Sequence, residues 1–344
     1  MPNTLMKAAL LTKPQRVEFR EIPRPEPGPG QVRVQMNRVS ICGSDVHLYK
    51  GDWEKRAPFP IRPGHEGMGY IDALGEGVTH LDLGQRVVIE PNFPCGHCRY
   101  CWRGQGNICP NKRITGVNEP GCFAEYSVLP AKFAWPLPEQ IRDEDAVLVE
   151  PTTVGWHALQ TATLRAGDTI AVIGLGAIGL LLTHTALAVG YKVLVNDRFP
   201  EKMSLAEQWG AIAIQLDTEK QVIPQLAAQL ESADVVSVFE CGGTVNTATM
   251  ALEAAPAGAK VIIVGLAHEP VSFIPFDITR RGLSILTSIV CSHPADFSRI
   301  IELIAKGTIQ PGKVISRRCQ FAQLPEALAR AAGGTETKIV LALA

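Results

Sequence analysis

Two groups of side chains carry most of the chemistry legible in this chain. Cys95-x2-Cys98-x2-Cys101-x7-Cys109 places four thiols within fifteen residues. Each C-x2-C step lets two thiolates reach one ion, and the seven-residue gap returns a fourth. Four thiolates closing a tetrahedron describe a structural zinc with no open position. The second group is Cys42, His65 and Glu66, one soft and two harder ligands. Adjacent His and Glu share an ion only from a loop or a strand end, which the flanking Gly64 and Gly67 suit. Three protein ligands plus water make an open, catalytic zinc.

A third pattern belongs to a cofactor. Gly174-Leu175-Gly176-Ala177-Ile178-Gly179 fits G-x-G-x-x-G, follows a predicted strand, opens a predicted helix, and has Asp197 at the end of the next strand. That context is what the dinucleotide fingerprint requires. Gly174 permits the tight turn, Gly176 the approach of a pyrophosphate to the helix N-terminus, and Gly179 close helix–strand packing. Asp197 favours NAD, since a carboxylate accepts from both ribose hydroxyls and repels a 2′-phosphate. Its neighbour Arg198 is the one feature that favours NADP. Lys202 is expected near the same edge, on the ribose or adenosine side.

The elements that must position these groups divide in texture. The first ~145 residues are rich in Gly, Pro and short strand-like runs, with Val32–Met36, Arg86–Ile89 and Tyr126–Leu129 alternating apolar and polar. They predict a small β-barrel with long loops. From Pro151 onward strands alternate with helices: strands at Thr169–Ile173, Lys192–Asn196, Ala233–Phe239 and Lys260–Val264, helices at Ala177–Val189, Met203–Trp209 and Thr247–Ala254. Such alternation means βαβ units and a parallel sheet. The last ~55 residues turn mixed again, with helices near Phe297–Ala305 and Leu324–Ala331 and a final strand Lys338–Ala342. The expected α/β architecture is a catalytic domain at 1–150 with a metal lobe at about 93–111, a nucleotide-binding domain at 151–288, and a C-terminal segment, 289–344, returning to the first domain.

Composition narrows the classes. The chain has 344 residues, 46% hydrophobic and 19% charged, with a net charge of −1, which suits folded cores and argues against a nucleic acid or an anionic membrane as partner. The longest apolar run, Ile170–Leu182, is 13 residues with three glycines, short of the ~20 needed to span a bilayer. Met1–Pro14 lacks an apolar signal region. Four of the nine cysteines fall within fifteen residues, and in a large chain without an export signal such clustered thiols read as metal ligands in a reducing cytoplasm.

Taken together the residues resemble a family. Gly64-His65-Glu66-x2-Gly69-x5-Gly75-x2-Val78 is similar to the pattern of the zinc-containing medium-chain dehydrogenases, and Gly84-Gln85-Arg86-Val87 to that family's G-D-R-V turn. Pro94–Cys101 and Glu150-Pro151-x2-Val154-Gly155-x-His157-Ala158 resemble the sorbitol (polyol) and L-threonine dehydrogenase branch. The resemblance covers essentially the whole chain. It implies a GroES-like barrel carrying the catalytic zinc and a Rossmann domain inserted before the C-terminal segment. It further implies Cys42, His65 and Glu66 as zinc ligands, with Glu150 as a fourth or exchanging ligand. Ser44 and His47 match a proton relay that runs through the cofactor ribose to solvent. Cofactor contacts are implied at Ile178, Asp197, Lys202, Val264-Gly265-Leu266 and Ser288-Ile289-Val290. The expected activity is reversible hydride transfer from a secondary alcohol of a polyol, sugar acid or related polar alcohol to NAD+, by a homo-oligomer, tetramer or dimer, with two zinc ions per chain.

Departures bear on substrate. Leu48, followed by Tyr49, stands where sorbitol-type enzymes have a tyrosine after the relay histidine, and Ile289-Val290-Cys291 replaces a Phe-Arg-Tyr stretch, so sorbitol itself is disfavoured. An L-threonine-type amino-alcohol oxidation is the nearest alternative. Other classes are a catalytically silent NAD(P)-binding regulator on the same fold, a zinc-free quinone or enoyl reductase, and an iron–sulfur carrier, although a ferredoxin-type site has a last gap of three residues where this chain has seven. His97 is a competing ligand inside the cysteine lobe, and His157 reads as packing. Trp53, Phe59 and Trp135 are weighed as pocket walls, and Phe93 and Trp102 as interface residues.

Overall fold

The computed structural model describes residues 5–55, 57–217 and 221–343. Two compact units emerge. The first runs to Glu150 and resumes at Ser292, and the second is Pro151–Cys291. The second boundary lies three residues past the expected 288/289 division. Strand Ser284–Thr287 still pairs with Lys260–Ile263, and the Ser288 N–H donates to the Ile263 carbonyl, which keeps the chain in the second unit.

The first unit is built on a mixed sheet in the order Arg317–Gln320, Ile339–Ala342, Gln31–Ser40, Glu66–Leu74, Arg86–Ile89, Ala134–Pro136, with Tyr126–Pro130 also pairing Gln31–Ser40. Val32, Val34, Met36 and Val39 bury one face of the central strand among Ile71, Val87, Leu129 and Phe133. Two pairings converge on Ser40. It lies opposite Glu66 on one side and Val340 on the other. The C-terminal strand thereby returns some 300 residues to sit beside the segment that leads into Cys42.

The second unit holds a parallel sheet in the order Ile212–Ala213, Lys192–Asn196, Thr169–Ile173, Val235–Glu240, Lys260–Ile263, Ser284–Thr287. This is the doubly wound 3-2-1-4-5-6 order, whose chain reversal lies between Thr169–Ile173 and Val235–Glu240. Those two strands are apolar runs because helices cover both faces of a parallel sheet. The helix Ala177–Ala188 buries every residue from Gly179 to Ala186. Among the described residues, no helix is long and apolar enough to cross a membrane.

Candidate active site and metal centres

Cys42 is the N-cap of a helix, Gly43–Lys50, that ends on a left-handed Gly51. Its third residue, Asp45, is fully buried and accepts two backbone N–H bonds, from Cys42 at 2.9 Å and from Gly64 at 3.0 Å. Gly64 has φ 93°, and a Cβ there would lie 2.7 Å from the Phe123 ring, so glycine is required at the turn that delivers His65 and Glu66. One carboxylate thus binds together the two segments that carry the ligands.

The Cys42 sulfur, a His65 ring nitrogen and a Glu66 oxygen lie within 4.8 Å of one another. Two donors on a tetrahedral zinc with bonds of about 2.0–2.3 Å lie about 3.3–3.8 Å apart, so donors already within 4.8 Å of one another can close on one ion. The His65 Nδ1 is buried with no hydrogen-bond partner. Burial works against a charge on His65, but the adjacent Cys42 and Asp45 outweigh it and hold the imidazolium well above the usual histidine range. The same anionic field favours a divalent cation. The donor set fits zinc.

Around this triad the structure adds residues that the sequence reading did not single out. Lys338 Nζ donates to Glu66 Oε1 at 2.8 Å, to Glu66 Oε2 at 2.7 Å and to the Ile41 carbonyl at 3.1 Å. The side chains of Lys338 and Glu66 are 1% and 0% exposed. Ser40 Oγ also donates to Glu66 Oε2. Burial opposes ionisation of Glu66, yet Lys338, His65 and Ser40 hold its carboxyl below the usual carboxylate range. The signal available in the sequence was a lone lysine ahead of a predicted strand, and nothing local ties it to residue 66.

Glu150 is buried near the start of the helix Val149–Ala162 and is not part of the mutual 4.8 Å set. Burial pushes its carboxyl up to about 7, against the pull of His65 and Lys338 and with the push of Glu66 and Asp45. Ser44 Oγ lies 3.5 Å from His65 Nε2. His47 is hydrogen-bonded to Asp52 at 2.8 Å and stacked on Trp53 at 5.5 Å. Leu48 and Tyr49 both pack into the core, so Tyr49 does not take the place of the missing tyrosine. Trp53 and Phe59 pack against the same core. Trp135 donates to Glu90, and Phe93 packs on Phe133.

The four lobe cysteines form a second set. Sulfur separations are 3.9 Å for Cys95–Cys101, 3.5 Å for Cys98–Cys101, 3.8 Å for Cys98–Cys109 and 3.6 Å for Cys109–Cys95. A tetrahedron with Zn–S bonds of about 2.3 Å has edges of about 3.8 Å. Backbone N–H donors at the turn, chiefly that of Cys101, bring the Cys98 thiol down to about 6. His97 is turned to the Cys95 carbonyl at 2.9 Å and is outside the metal set. Trp102 is 76% exposed on the lobe.

In the second unit the three glycines of the loop differ in what surrounds them. Gly174 has φ 94°, and a Cβ there would meet the Gly242 nitrogen at 2.5 Å. A Cβ on Gly179 would lie 2.0 Å from the Gly174 carbonyl oxygen, whereas one on Gly176 meets nothing within 4 Å. Asp197 accepts from the Leu175 N–H at 2.5 Å and the Phe199 N–H at 2.9 Å. Arg198 and Lys202 lie 4.6 and 4.5 Å from the Phe199 ring centroid. Val264 and Gly265 both donate to the Glu240 carbonyl. Leu266 and Ile289 are exposed, Ser288 is buried, and Val290 is held at φ 56°.

The alcohol dehydrogenase GroES-like domain family matches residues 28–139, and the zinc-binding dehydrogenase family matches residues 177–306. The chain is 35% identical to the starvation-sensing protein RspB of Escherichia coli (strain K12) over 334 residues, 94% of each chain. It is 30% identical to a sorbitol dehydrogenase of Halalkalibacterium halodurans, covering 98% of this chain and 99% of the relative. Among solved structures, one from E. coli CFT073, described as a short chain alcohol dehydrogenase (rspB) complexed with cofactor NADH, superposes with a TM-score of 0.91 at 31% identity, over 99% of this chain and 100% of that one.

Proposed function

We propose that this chain, which belongs to the zinc-containing medium-chain alcohol dehydrogenase family, oxidises a secondary alcohol of a polyol, sugar acid or related polar alcohol, reversibly, with NAD+ as hydride acceptor. The observation that carries this reading is the Cys42–His65–Glu66 donor set, mutually within 4.8 Å and short of a closed shell. Cys42, His65 and Glu66 would hold a zinc whose Lewis acidity lowers the pKa of a substrate hydroxyl. Asp45 fixes the backbone of Cys42 and Gly64, so the ligands are set before substrate arrives. Ser44, beside His65, takes the hydroxyl proton, and the partly exposed His47 passes it to solvent. Glu150, buried and with its carboxyl pushed up to about 7, would exchange with Glu66 as a ligand. The Cys95–Cys98–Cys101–Cys109 set would hold a second, structural zinc.

Cofactor choice follows from Asp197. Its carboxylate caps the glycine loop and presents negative charge where a 2′-phosphate would sit, which favours NAD over NADP. Contacts at Ile178, Lys202, Val264, Gly265, Leu266, Ser288, Ile289 and Val290 are part of the same proposal. A homo-oligomer is supported by the outer strand Ser284–Thr287, whose Ile285 is exposed, and by exposed Phe273, Ile274 and Phe276. A second copy pairing the same edge across a two-fold axis covers both. The four metal-spaced thiols among nine cysteines support a reducing, cytoplasmic setting.

The test is metal analysis together with a substrate panel. About two zinc per chain, with Cys42→Ala losing one of them and all turnover, is the expected result. Polyols, aldonates and L-threonine are offered with NAD+ and NADP+, and NADH formation is followed by absorbance. Full activity in Cys42→Ala freed of adventitious metal would falsify the zinc assignment.

A further inference from the structure

We propose that Lys338 is a positioning residue that keeps Glu66 a weak, single-oxygen and exchangeable ligand. The inference rests on the zinc reading of the Cys42–His65–Glu66 site. An ionised carboxylate offers about four lone-pair sites. Lys338 takes one on each oxygen, and Ser40 Oγ takes another on Oε2, which leaves about one for a metal. The three ammonium protons of Lys338 are matched by three acceptors, the third being the Ile41 carbonyl at 3.1 Å, so the lysine has no spare donor and no room to turn away. The clamp is built by strand register. Val340 pairs with Ser40, and Ser40 pairs with Glu66, which sets Lys338 beside the segment entering Cys42. A buried cation so close to the site also competes with a divalent ion for the same negative charge.

Without Lys338 the Glu66 carboxylate would keep only the Ser40 hydroxyl beside the zinc, and zinc would be held more tightly. The experiment loads wild type, Lys338→Met, Lys338→Arg and Ser40→Ala with zinc and follows its release to a chromogenic chelator. The Cys42-dependent phase is identified by subtraction of Cys42→Ala. Lys338→Met is expected to slow that phase by about tenfold or more as like-charge repulsion is removed, to widen the gap in thermal midpoint between zinc-loaded and metal-free protein, and to lose the effect in a Glu66→Gln background. Lys338→Arg is expected to restore fast release, and Ser40→Ala to slow it slightly. Release from Lys338→Met that is unchanged or faster, or slowing that persists with Glu66→Gln, overturns the proposal. Should Lys338→Met not fold, Ser40→Ala is decisive in the same assay, slower release supporting the clamp and unchanged or faster release refuting it. Wild-type protein with no Cys42-dependent zinc would instead sink the underlying metal reading, which separates the two failures.

Discussion

Asp45 accepts the Gly64 N–H at 3.0 Å across nineteen residues, and so ties the helix that starts at Cys42 to the turn that delivers His65 and Glu66. Its other oxygen takes the Cys42 N–H. An asparagine keeps the shape but offers one acceptor oxygen and points an NH2 at a backbone donor. Asp45→Asn is expected to cost about 1–3 kcal/mol of stability, the range for stranding a buried hydrogen-bonding group. Denaturant melts measure the loss, and zinc content after dialysis is expected to fall with it.

Substitutions in the glycine loop can test folding and binding separately. Gly179→Ala would drive a methyl to within 2.0 Å of the Gly174 carbonyl oxygen and is expected to deplete folded protein, seen as a lower thermal midpoint or loss of soluble yield. Gly176→Ala has open space around it. It is expected to keep stability within about 0.5 kcal/mol while weakening NADH binding in a fluorescence titration. Equal damage from both substitutions would contradict the assignment of Gly176 to the pyrophosphate.

On the proposed reading Asp197 both holds the glycine loop and disfavours a 2′-phosphate, which predicts a mixed phenotype. Asp197→Ala would remove that charge and leave Arg198 and Lys202 in place. The ratio of kcat/KM for NADP+ to that for NAD+ is expected to rise at least tenfold, equivalent to about 1.4 kcal/mol. The KM for NAD+ is expected to rise as well, because the Leu175 N–H loses its acceptor.

The lobe cysteines are expected to act through stability. Cys109 is buried, and its sulfur approaches those of Cys95 and Cys98. Cys109→Ala is expected to drop metal content by about one zinc per chain and to lower the thermal midpoint, with the Cys42-dependent zinc retained. Calorimetry and elemental analysis of the same preparation check both halves.

Much of the second unit is legible in the sequence because its strands are buried on both faces. Thr169–Ile173, Lys192–Asn196 and Lys260–Ile263 are continuous apolar runs, and the glycine motif is local. Strand Ser284–Thr287 escapes notice because it is an exposed edge without such a run. The helix Gly43–Lys50 escapes for a different reason, since it carries little amphipathic pattern and is defined by a cap and a left-handed glycine. The two donor sets, each of which the structure draws together, could be read from residue type and spacing. Ser40 and Lys338 could not, because their meeting with Glu66 depends on the pairing of strands at opposite ends of the chain.

That pairing also sets an order of assembly. Residues 151–291 form a continuous unit and can fold as soon as they leave the ribosome, domains generally folding as units during synthesis. The unit that bears Cys42, His65 and Glu66 must wait for Ile339–Ala342 to be made before its central sheet is complete. On a growing polypeptide residues 151–291 are therefore finished first, and the strand that completes the sheet around Cys42, His65 and Glu66 is made only afterwards.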